Sequence, residues 1–350
     1  MNYLQNILWH LLTALPACLY GNVMRFRNHL YNIGSKAEIH FELPIISVGN
    51  LAVGGTGKTP LTEYLIRLLI SSHKKVAVLS RGYGRQTKGF RLADTAATAA
   101  TIGDEPMQYF TKFGDQIVIA VGEDRVAAVP EILLHHPETE IIILDDAYQH
   151  RKIARRLNLL LTEYDYPFYQ DFVMPRGRLR EPRIGAVRAD AVVVTKCPTS
   201  ISAAEISQIK NNIRRYTRPE TPIFFTTVFY QTPEVFYGAV TNLNAETNVI
   251  LASGIARPQM WEAAMQQRFR VVDMFRFTDH YHYTRGDVLT FDRACAKHNA
   301  VFLCTEKDMV KLKPLLADAQ ANFSAFFQPI TIGFLADEVT FQQLILSLTR

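Results

Sequence analysis

The stretch that decides the fold runs from Ile45 to Thr59 and reads I-I-S-V-G-N-L-A-V-G-G-T-G-K-T. Residues 45–48 form a short β-branched run that is typical of a strand, and glycine-rich residues follow it. Behind the glycines, leucines recur at helical spacing between residues 61 and 69. A strand, a glycine loop and a helix in this order are the context that a nucleotide-phosphate loop requires.

The loop from Ala52 to Thr59 carries the residue types that hold nucleotide phosphates. Its glycines let backbone N–H groups curl around the phosphates, Lys58 reaches the β and γ oxygens, and the Thr59 hydroxyl is available to Mg²⁺. Ala52 stands where the stricter motif has a glycine. The predicted nucleotide-binding residues are Ala52, Val53, Gly54, Gly55, Thr56, Gly57, Lys58 and Thr59.

A second apolar run, residues 141–144, ends in Asp145 and Asp146. A buried strand that ends in an acid is how P-loop enzymes bring a carboxylate toward the metal ion. One acid can hold Mg²⁺ directly or through water while the other orients a water or a side chain, and the sequence leaves open which acid contacts the metal. Thr59, Asp145 and Asp146 are therefore predicted metal-binding residues.

Strand and helix patterns alternate along most of the chain. The alternation predicts an α/β fold of the P-loop NTPase type, with a mostly parallel sheet, helices on both faces and ligands at the carboxyl ends of the strands. We expect an N-terminal lead-in at 1–40, a nucleotide-binding domain at 41–227, and a second, smaller α/β domain at 228–350, joined by hinge segments. Further strands are predicted at 76–79, 116–121, 157–161, 191–195, 249–252, 271–275 and 301–304.

The composition is that of a soluble α/β enzyme rather than a disordered or polytopic membrane protein. Of the 350 residues, 48% are hydrophobic and 20% are charged, and the net charge is +5. Basic residues cluster at 151–156 and 176–188, which favours an anionic ligand, with a solvated basic surface as the alternative. No nucleic acid is expected, because no aromatic ladder, zinc spacing or recognition-helix pattern accompanies the arginines.

The N-terminal segment carries no Asp, Glu, Lys or Arg from Met1 to Met24. Polar residues and Pro16 interrupt it too often for a membrane-spanning helix. Its apolar residues share one helical face, which predicts an amphipathic helix at a membrane surface, and a core-packing helix is the alternative. A secretory signal is disfavoured because the basic n-region is missing. The residues on the apolar face are Leu4, Ile7, Leu8, Leu11, Leu12, Leu15 and Leu19.

Two departures from known motifs narrow the nucleotide chemistry. Val53 stands where switch ATPases with the deviant loop carry a lysine, which disfavours that class. The segment Thr195 to Pro198 reads T-K-C-P and lacks the aspartate with which N-K-x-D proteins pair the guanine edge. ATP is therefore the expected nucleotide.

A series of short motifs then occurs in a fixed order from Pro44 to Lys311: G-G-T-G-K-T, S-R-G-Y-G-R, G-D-E-P, D-D-A-Y-Q-H, G-R-L-R-E-P, S-G-I-A-R-P, T-D-H-Y and T-E-K-D. Together they resemble the tetraacyldisaccharide 4′-kinases, which phosphorylate the lipid A disaccharide precursor at the inner face of the bacterial inner membrane. The resemblance implies ATP and Mg²⁺ as cofactors and an acylated disaccharide 1-phosphate as acceptor. It also implies peripheral attachment to the inner-membrane surface on the cytoplasmic side, and it indicates no obligate protein partner.

The same resemblance implies roles for particular residues. Asp104 in G-D-E-P and His280 in T-D-H-Y correspond to the family's catalytic pair, which acts together with Lys58. Arg180 and Glu181 in G-R-L-R-E-P are implied to approach the phosphates and Mg²⁺. From the residues alone, without the resemblance, Asp104 before Glu-Pro predicts a helix N-cap instead. Because His280 falls in the predicted second domain and Asp104 in the first, we expect the two domains to close on each other.

Basic side chains that follow predicted strands are further candidates for binding phosphate groups. They can meet either the nucleotide phosphates or the anomeric phosphate of the acceptor, and the sequence does not assign them individually. The candidates are Arg81, Arg85, Arg125, His150 and Arg180.

Two other functions fit the residue patterns apart from the resemblance. One is a P-loop kinase of a soluble small metabolite, with the N-terminal helix packed in the core. The other is a membrane-docking ATPase switch, which would hydrolyse ATP slowly, phosphorylate nothing and need no base such as Asp104.

Overall fold

The computed structural model describes residues 3–240 and 242–349, with side chains described for 12–240 and 242–348. The chain divides into two compact units. The first comprises residues 1–81, 124–228 and 332–350, and the second comprises residues 82–123 and 229–331.

Each unit is built around one sheet with helices. The strands are β1 (Ile45–Asn50), β2 (Val76–Ser80), β3 (Arg91–Leu92), β4 (Val118–Val121), β5 (Ile141–Asp145), β6 (Leu157–Glu163), β7 (Ala191–Thr195), β8 (Ile223–Tyr230), β9 (Glu234–Tyr237), β10 (Asn248–Ser253), β11 (Arg270–Arg276), β12 (Val301–Thr305), β13 (Ala325–Gln328) and β14 (Ile330–Phe334). The α-helices are α1 (Tyr3–Asn32), α2 (Lys58–Ser71), α3 (Ala99–Ile102), α4 (Asp104–Phe113), α5 (Arg125–His135), α6 (Ala203–Arg214), α7 (Gln259–Arg268), α8 (Arg285–His298), α9 (Glu306–Ala319) and α10 (Glu338–Leu346).

The first unit contains a parallel sheet with strand order β8-β7-β6-β1-β5-β2, and β14 lies beyond β8. Every residue of β1, β2, β5, β6 and β7 is buried, as expected for parallel strands that helices cover on both faces. The register places Val48 beside Asp145. The carboxyl ends of β1 and β5 therefore meet, and the predicted P-loop α/β fold is confirmed.

The second unit contains a sheet with order β11-β10-β12-β13-β9, in which β9 is antiparallel and the other pairs are parallel. Its core also includes apolar residues from the 82–123 segment, such as Ala99 and Met107. Helix α4 packs against α9, and Lys112 pairs with Glu306 at 2.5 Å.

The predicted domain limits of 41–227 and 228–350 therefore differ from the two units. Residues 82–123 belong to the second unit because α4 buries its apolar face against the core around α9. Residues 332–350 belong to the first unit, where Phe341 packs edge-to-face against Phe224 with ring centroids 5.0 Å apart. Residues 1–40, predicted as a separate lead-in, also belong to the first unit.

Helix α1 presents two different faces along its described side chains. Thr13, Ala17 and Tyr31 are buried. A second row, spaced at three and four residues, is exposed and consists of Leu12, Leu15, Leu19, Val23 and Phe26. The predicted apolar positions Leu4, Ile7, Leu8 and Leu11 lie outside the described side chains. Among the described residues, no helix combines the length and apolar character needed to cross a bilayer.

Candidate active site

The glycine loop between β1 and α2 has the backbone geometry of a phosphate cradle. Gly54 has a φ of 106° and Gly57 a φ of 81°, a region that side chains with a Cβ rarely adopt. Gly57 is the N-cap of α2, so Lys58 opens the helix and Thr59 lies in its first turn. The positive end of the α2 dipole therefore points toward the place where the loop would hold phosphate.

Neighbouring segments of the first unit hold the loop in this conformation. The Val53 N–H donates to the Arg178 carbonyl at 2.9 Å, and the Arg180 N–H donates to the Leu51 carbonyl at 2.7 Å. On the other side, the Thr195 hydroxyl donates to the Thr56 carbonyl at 2.9 Å and Lys196 Nζ to the Gly55 carbonyl at 2.6 Å. The segment T-K-C-P, which the sequence analysis used only to decide between adenine and guanine nucleotides, thus supports the phosphate loop.

The paired aspartates lie at the carboxyl end of β5, beside this loop. Asp145 is buried, and Asp146 has a left-handed φ of 49°. Asp146 Oδ1 lies 3.6 Å from Lys58 Nζ and accepts a hydrogen bond from Arg180 Nη1 at 2.9 Å. Burial alone would raise the pKa of Asp146, but the Lys58 and Arg180 charges hold it below its usual value.

Gly49 allows the turn after the two aspartates to approach the end of β1 closely. A Cβ at this position would lie 2.7 Å from the Tyr148 Cβ and 2.8 Å from the Tyr148 backbone nitrogen. The next residue along, Gln149, donates from Nε2 to the Asn50 carbonyl at 2.8 Å. The D-D-A-Y-Q-H turn is therefore fixed against the end of β1 by close packing and a hydrogen bond.

Glu181 lies at the centre of a buried polar network. Its carboxylate accepts hydrogen bonds from Arg188 Nη2 at 2.8 Å, from Asn28 Nδ2 of α1 at 2.7 Å and from Gln149 Nε2 at 3.1 Å. In this structure Glu181 ties α1 to the D-D-A-Y-Q-H turn, and its implied approach to a metal stays a prediction.

The donor set near the loop fits Mg²⁺. Thr59, Asp145 and Asp146 supply oxygen atoms, the ligands that this hard cation prefers. Within residues 3–240 and 242–349, no group of three or more His, Cys, Asp or Glu side chains is arranged to hold a metal. In kinase sites Mg²⁺ is bound by one or two protein oxygens together with substrate phosphates.

The candidate phosphate-binding residues lie in several environments. Arg81 is exposed directly after β2, whereas Arg125 is buried at the start of α5. Burial and the Arg125 charge lower the pKa of His150 to about 4, so this imidazole is neutral at pH 7. Arg85, whose side chain is 2% exposed, pairs with Glu123 at 2.5 Å. Arg85 thus anchors its own loop, and a phosphate contact for it stays a prediction.

Asp104 and His280 lie together in the second unit. His280 Nδ1 is 3.1 Å from Asp104 Oδ2, and the Tyr83 ring contacts the imidazole at a centroid distance of 4.9 Å. Asp104 is the first residue of α4, and Gly103 before it occupies the N-cap position. The pairing implied by the family is present. The expectation that two domains must close to bring Asp104 and His280 together is wrong, because both residues belong to the same unit.

Two glycines set the position of this pair. A Cβ on Gly103 would lie 3.1 Å from Gly82 backbone atoms and from the Tyr83 carbonyl. This close approach packs the S-R-G-Y-G-R loop against G-D-E-P and brings Tyr83 to the imidazole. His280 itself has a φ of 58°, a conformation that a non-glycine residue keeps only where its surroundings enforce it.

Two lysines from the T-E-K-D region, which sequence reasoning did not assign, contact the pair. Lys307 Nζ is 3.1 Å from His280 Nε2, and Lys311 Nζ is 3.3 Å from Asp104 Oδ2. Burial would raise the pKa of Asp104, but the His280 hydrogen bond and the two lysine charges hold it below its usual value. Asp104 is therefore ionised at neutral pH. The T-E-K-D motif contains Lys307 and was the signal that could have revealed it, whereas Lys311 lies just beyond the motif.

A parallel α/β sheet with a glycine loop, a loop lysine and paired aspartates defines the P-loop phosphotransferases, and the Asp–His pair adds a group able to accept a proton. The sequence profile of the tetraacyldisaccharide-1-P 4′-kinase family matches residues 8–350. The chain belongs to this family, and the resemblance predicted from the motifs is confirmed.

Individual relatives agree with this assignment. The tetraacyldisaccharide 4′-kinase of Cytophaga hutchinsonii is 42% identical over 329 residues, which cover 93% of this chain and 91% of that protein. The enzyme of the same name from Flavobacterium psychrophilum is 38% identical, with coverage of 99% and 97%. The crystal structure of LpxK from Aquifex aeolicus in complex with ATP is similar with a TM-score of 0.72, 27% identity and coverage of 96% and 98%.

Proposed function

We propose that this protein transfers the γ-phosphate of ATP to the 4′-hydroxyl of a tetraacyldisaccharide 1-phosphate, a step of lipid A biosynthesis. Family membership over residues 8–350 is the observation that carries this function. The phosphate loop before α2 and the Asp–His pair of the second unit supply the groups that phosphoryl transfer to an alcohol needs.

We assign the donor side of the reaction to the first unit. The glycine loop and the α2 N-terminus would hold the β- and γ-phosphates, with Lys58 as the cation nearest the transferred group. Arg180, held on Asp146, adds a second positive charge. Thr59, Asp145 and Asp146 would hold Mg²⁺, with Glu181 as a further candidate. When bound, the metal neutralises charge on the phosphate oxygens. The basic side chains Arg81, Arg125 and His150 remain candidates for substrate phosphates.

We assign the acceptor side to Asp104 and His280. A carboxylate that is ionised at neutral pH can accept the proton of the 4′-hydroxyl as this oxygen attacks phosphorus. His280 donates from Nδ1 to the same carboxylate and so fixes its orientation. The phosphate loop belongs to the first unit and the Asp–His pair to the second.

The acyl chains of the acceptor require access to a lipid surface, and we propose that α1 provides it. Leu12, Leu15, Leu19, Val23 and Phe26 form an exposed apolar row that would enter the interface of the inner membrane on its cytoplasmic side. The opposite face of α1 is buried, and Asn28 on that face reaches Glu181.

The membrane role can be tested with vesicles that contain anionic phospholipid. Burial of one leucine side chain contributes about 1.5–3 kcal/mol, so Leu15→Gln/Leu19→Gln should weaken co-sedimentation at least about tenfold. Leu134→Gln, at a side chain that is 74% exposed on α5, is the matched control and should sediment like the parent. Equal sedimentation of both variants would contradict the assignment.

The activity test uses γ-labelled ATP and a lipid A disaccharide 1-phosphate, with thin-layer separation of the products. Label should enter the lipid, and its failure to do so would overturn the proposed function. A soluble-metabolite kinase or an ATPase switch would leave the lipid unlabelled. Asp104→Ala and His280→Ala should lose turnover with ATP binding retained, whereas Asp115→Ala, at an exposed acid of the same unit, should remain active.

A further inference from the structure

The ammonium group of Lys307 is surrounded by one acceptor for each of its protons. Nζ lies 3.0 Å from Asp279 Oδ1, 3.1 Å from Glu105 Oε1 and 3.1 Å from His280 Nε2. The side chain is 17% exposed. A largely shielded cation with a full set of partners holds one position, and its contact with the imidazole is therefore a fixed part of the site.

This contact determines which imidazole nitrogen carries the proton. An ammonium group has three donors and no acceptor, so His280 Nε2 must accept from it and cannot carry hydrogen. The single proton of the neutral ring is then on Nδ1, which faces Asp104 Oδ2 at 3.1 Å.

We propose that Lys307 is a positioning residue that holds His280 as the neutral tautomer protonated on Nδ1, so that Asp104 is the group that accepts the substrate proton. The inference deepens the proposed role of the Asp104–His280 pair and rests on it.

The acids around the ring show why a cation is needed here. Glu105 Oε1 lies 3.8 Å and Asp279 Oδ2 lies 3.9 Å from His280 Nε2. Two carboxylates at this distance favour the imidazolium form. Lys307 lies among them and offsets their charge. Without it, a protonated His280 would donate to Asp104 as a cation and make that carboxylate a weaker base.

The remaining charged groups near Asp104 support the same state. Lys311 Nζ contacts Asp104 Oδ2 at 3.3 Å, Asp308 Oδ1 at 3.5 Å and the Tyr281 carbonyl at 3.1 Å. Asp308 is fully buried and also accepts from the Gly254 N–H at 2.9 Å. Burial alone would lower the pKa of Lys307, but the Glu105 and Asp279 charges outweigh burial and raise this pKa above its usual value. Lys307 therefore stays charged.

The tautomer can be measured directly on the full-length protein labelled with ¹⁵N-histidine. Two-bond ¹⁵N–¹H couplings distinguish protonated from bare ring nitrogens, and His280→Gln assigns the resonance. At pH 7.5 we expect Nδ1 protonated and Nε2 bare in the parent protein, and both nitrogens protonated in Lys307→Met. An Nε2–H tautomer in the parent protein would overturn the proposal, even if the variant does not fold.

A pH profile of kcat/KM gives the second test. Lys307→Met should move the acidic limb upward by about one pH unit or more, because His280 must lose a proton before Asp104 works as a base. Lys307→Met/Glu105→Gln should bring the limb part of the way back, and Lys307→Arg should keep the neutral ring. Lys313→Met, an exposed lysine on the same helix, is the matched control. An unshifted limb in Lys307→Met would refute the positioning role, whereas an active Asp104→Ala would instead refute the proposed base.

Discussion

Gly49→Ala is expected to disturb the nucleotide site although Gly49 is not one of the predicted nucleotide-binding residues. The added Cβ would lie 2.7 Å from the Tyr148 Cβ and 2.8 Å from its backbone nitrogen, whereas ordinary contacts begin at 3.4 Å. Relief therefore requires the turn after Asp146 to move by about 0.7 Å, and overpacking of this kind costs about 1–3 kcal/mol. A displacement approaching 1 Å at catalytic groups can lower turnover by about 100-fold.

Thermal unfolding and lipid-kinase turnover measure the two effects. The expected loss of stability lowers Tm by about 2–12 °C, at about 2–4 °C per kcal/mol for a folded unit of about 150–250 residues. Gly286→Ala in α8 makes the same chemical change, but its new Cβ would have Thr284 Oγ1 as nearest neighbour, at an ordinary 3.5 Å. This control should leave Tm unchanged or higher. If Gly49→Ala kept both the Tm and the turnover of the parent, the packing argument at the β1 end would be wrong.

Three further perturbations follow from the described contacts. Arg180→Ala removes the 2.9 Å partner of Asp146, so the pKa of this acid should rise and kcat should fall more than ATP affinity, as read from steady-state kinetics. Because the folded pKa of Asp104 is lowered, its ionisation stabilises the fold above its unfolded pKa, and that stability is lost as pH falls through the folded value. Denaturant midpoints of Asp104→Asn should therefore approach those of the parent at low pH, and a constant gap would contradict this. Chelation of Mg²⁺ by EDTA should abolish turnover and leave the circular dichroism spectrum unchanged, whereas unfolding on chelation would indicate a structural metal.

The sequence predicts β1, β2, β5, β6 and β7 well because these strands are buried, whereas β9, β13 and β14 were not predicted. Residues 141–144 and 191–195 read as continuous apolar runs, and parallel strands covered on both faces have this character. The glycine loop is equally predictable from the sequence. The positive φ values at Gly54 and Gly57 favour glycine, and glycines at these positions define the motif.

The sequence did not predict which unit each segment belongs to, because this depends on packing between segments that are distant in the chain. Residues 82–123 follow β2 directly, yet Met107 packs in the core of the second unit. Nothing in the local pattern of α4 indicates which core it contacts. The same holds for the C-terminal helix, whose Phe341 packs on Phe224 of the first unit.

The site residues divide in the same way. Asp104 and His280 are 176 positions apart, and only family resemblance connected them before the structure did. Lys307 was visible in the T-E-K-D motif and Lys311 lies just beyond it, but two lysines on an exposed helix face have the same sequence signature. Their partners, not their identity, make them part of the site, and the partners lie on other elements.

The division of the chain into interleaved segments bears on how the protein is made. The ribosome releases residues 82–123 long before residues 229–331, so α4 has no completed core to pack against while the chain between them is synthesised. The first unit likewise waits for residues 332–350, which bring Phe341 to its aromatic neighbours. Neither unit can finish folding in the vectorial, one-domain-at-a-time order that is open to proteins with contiguous domains, and the early segments depend on the nascent chain remaining soluble until its last helix emerges.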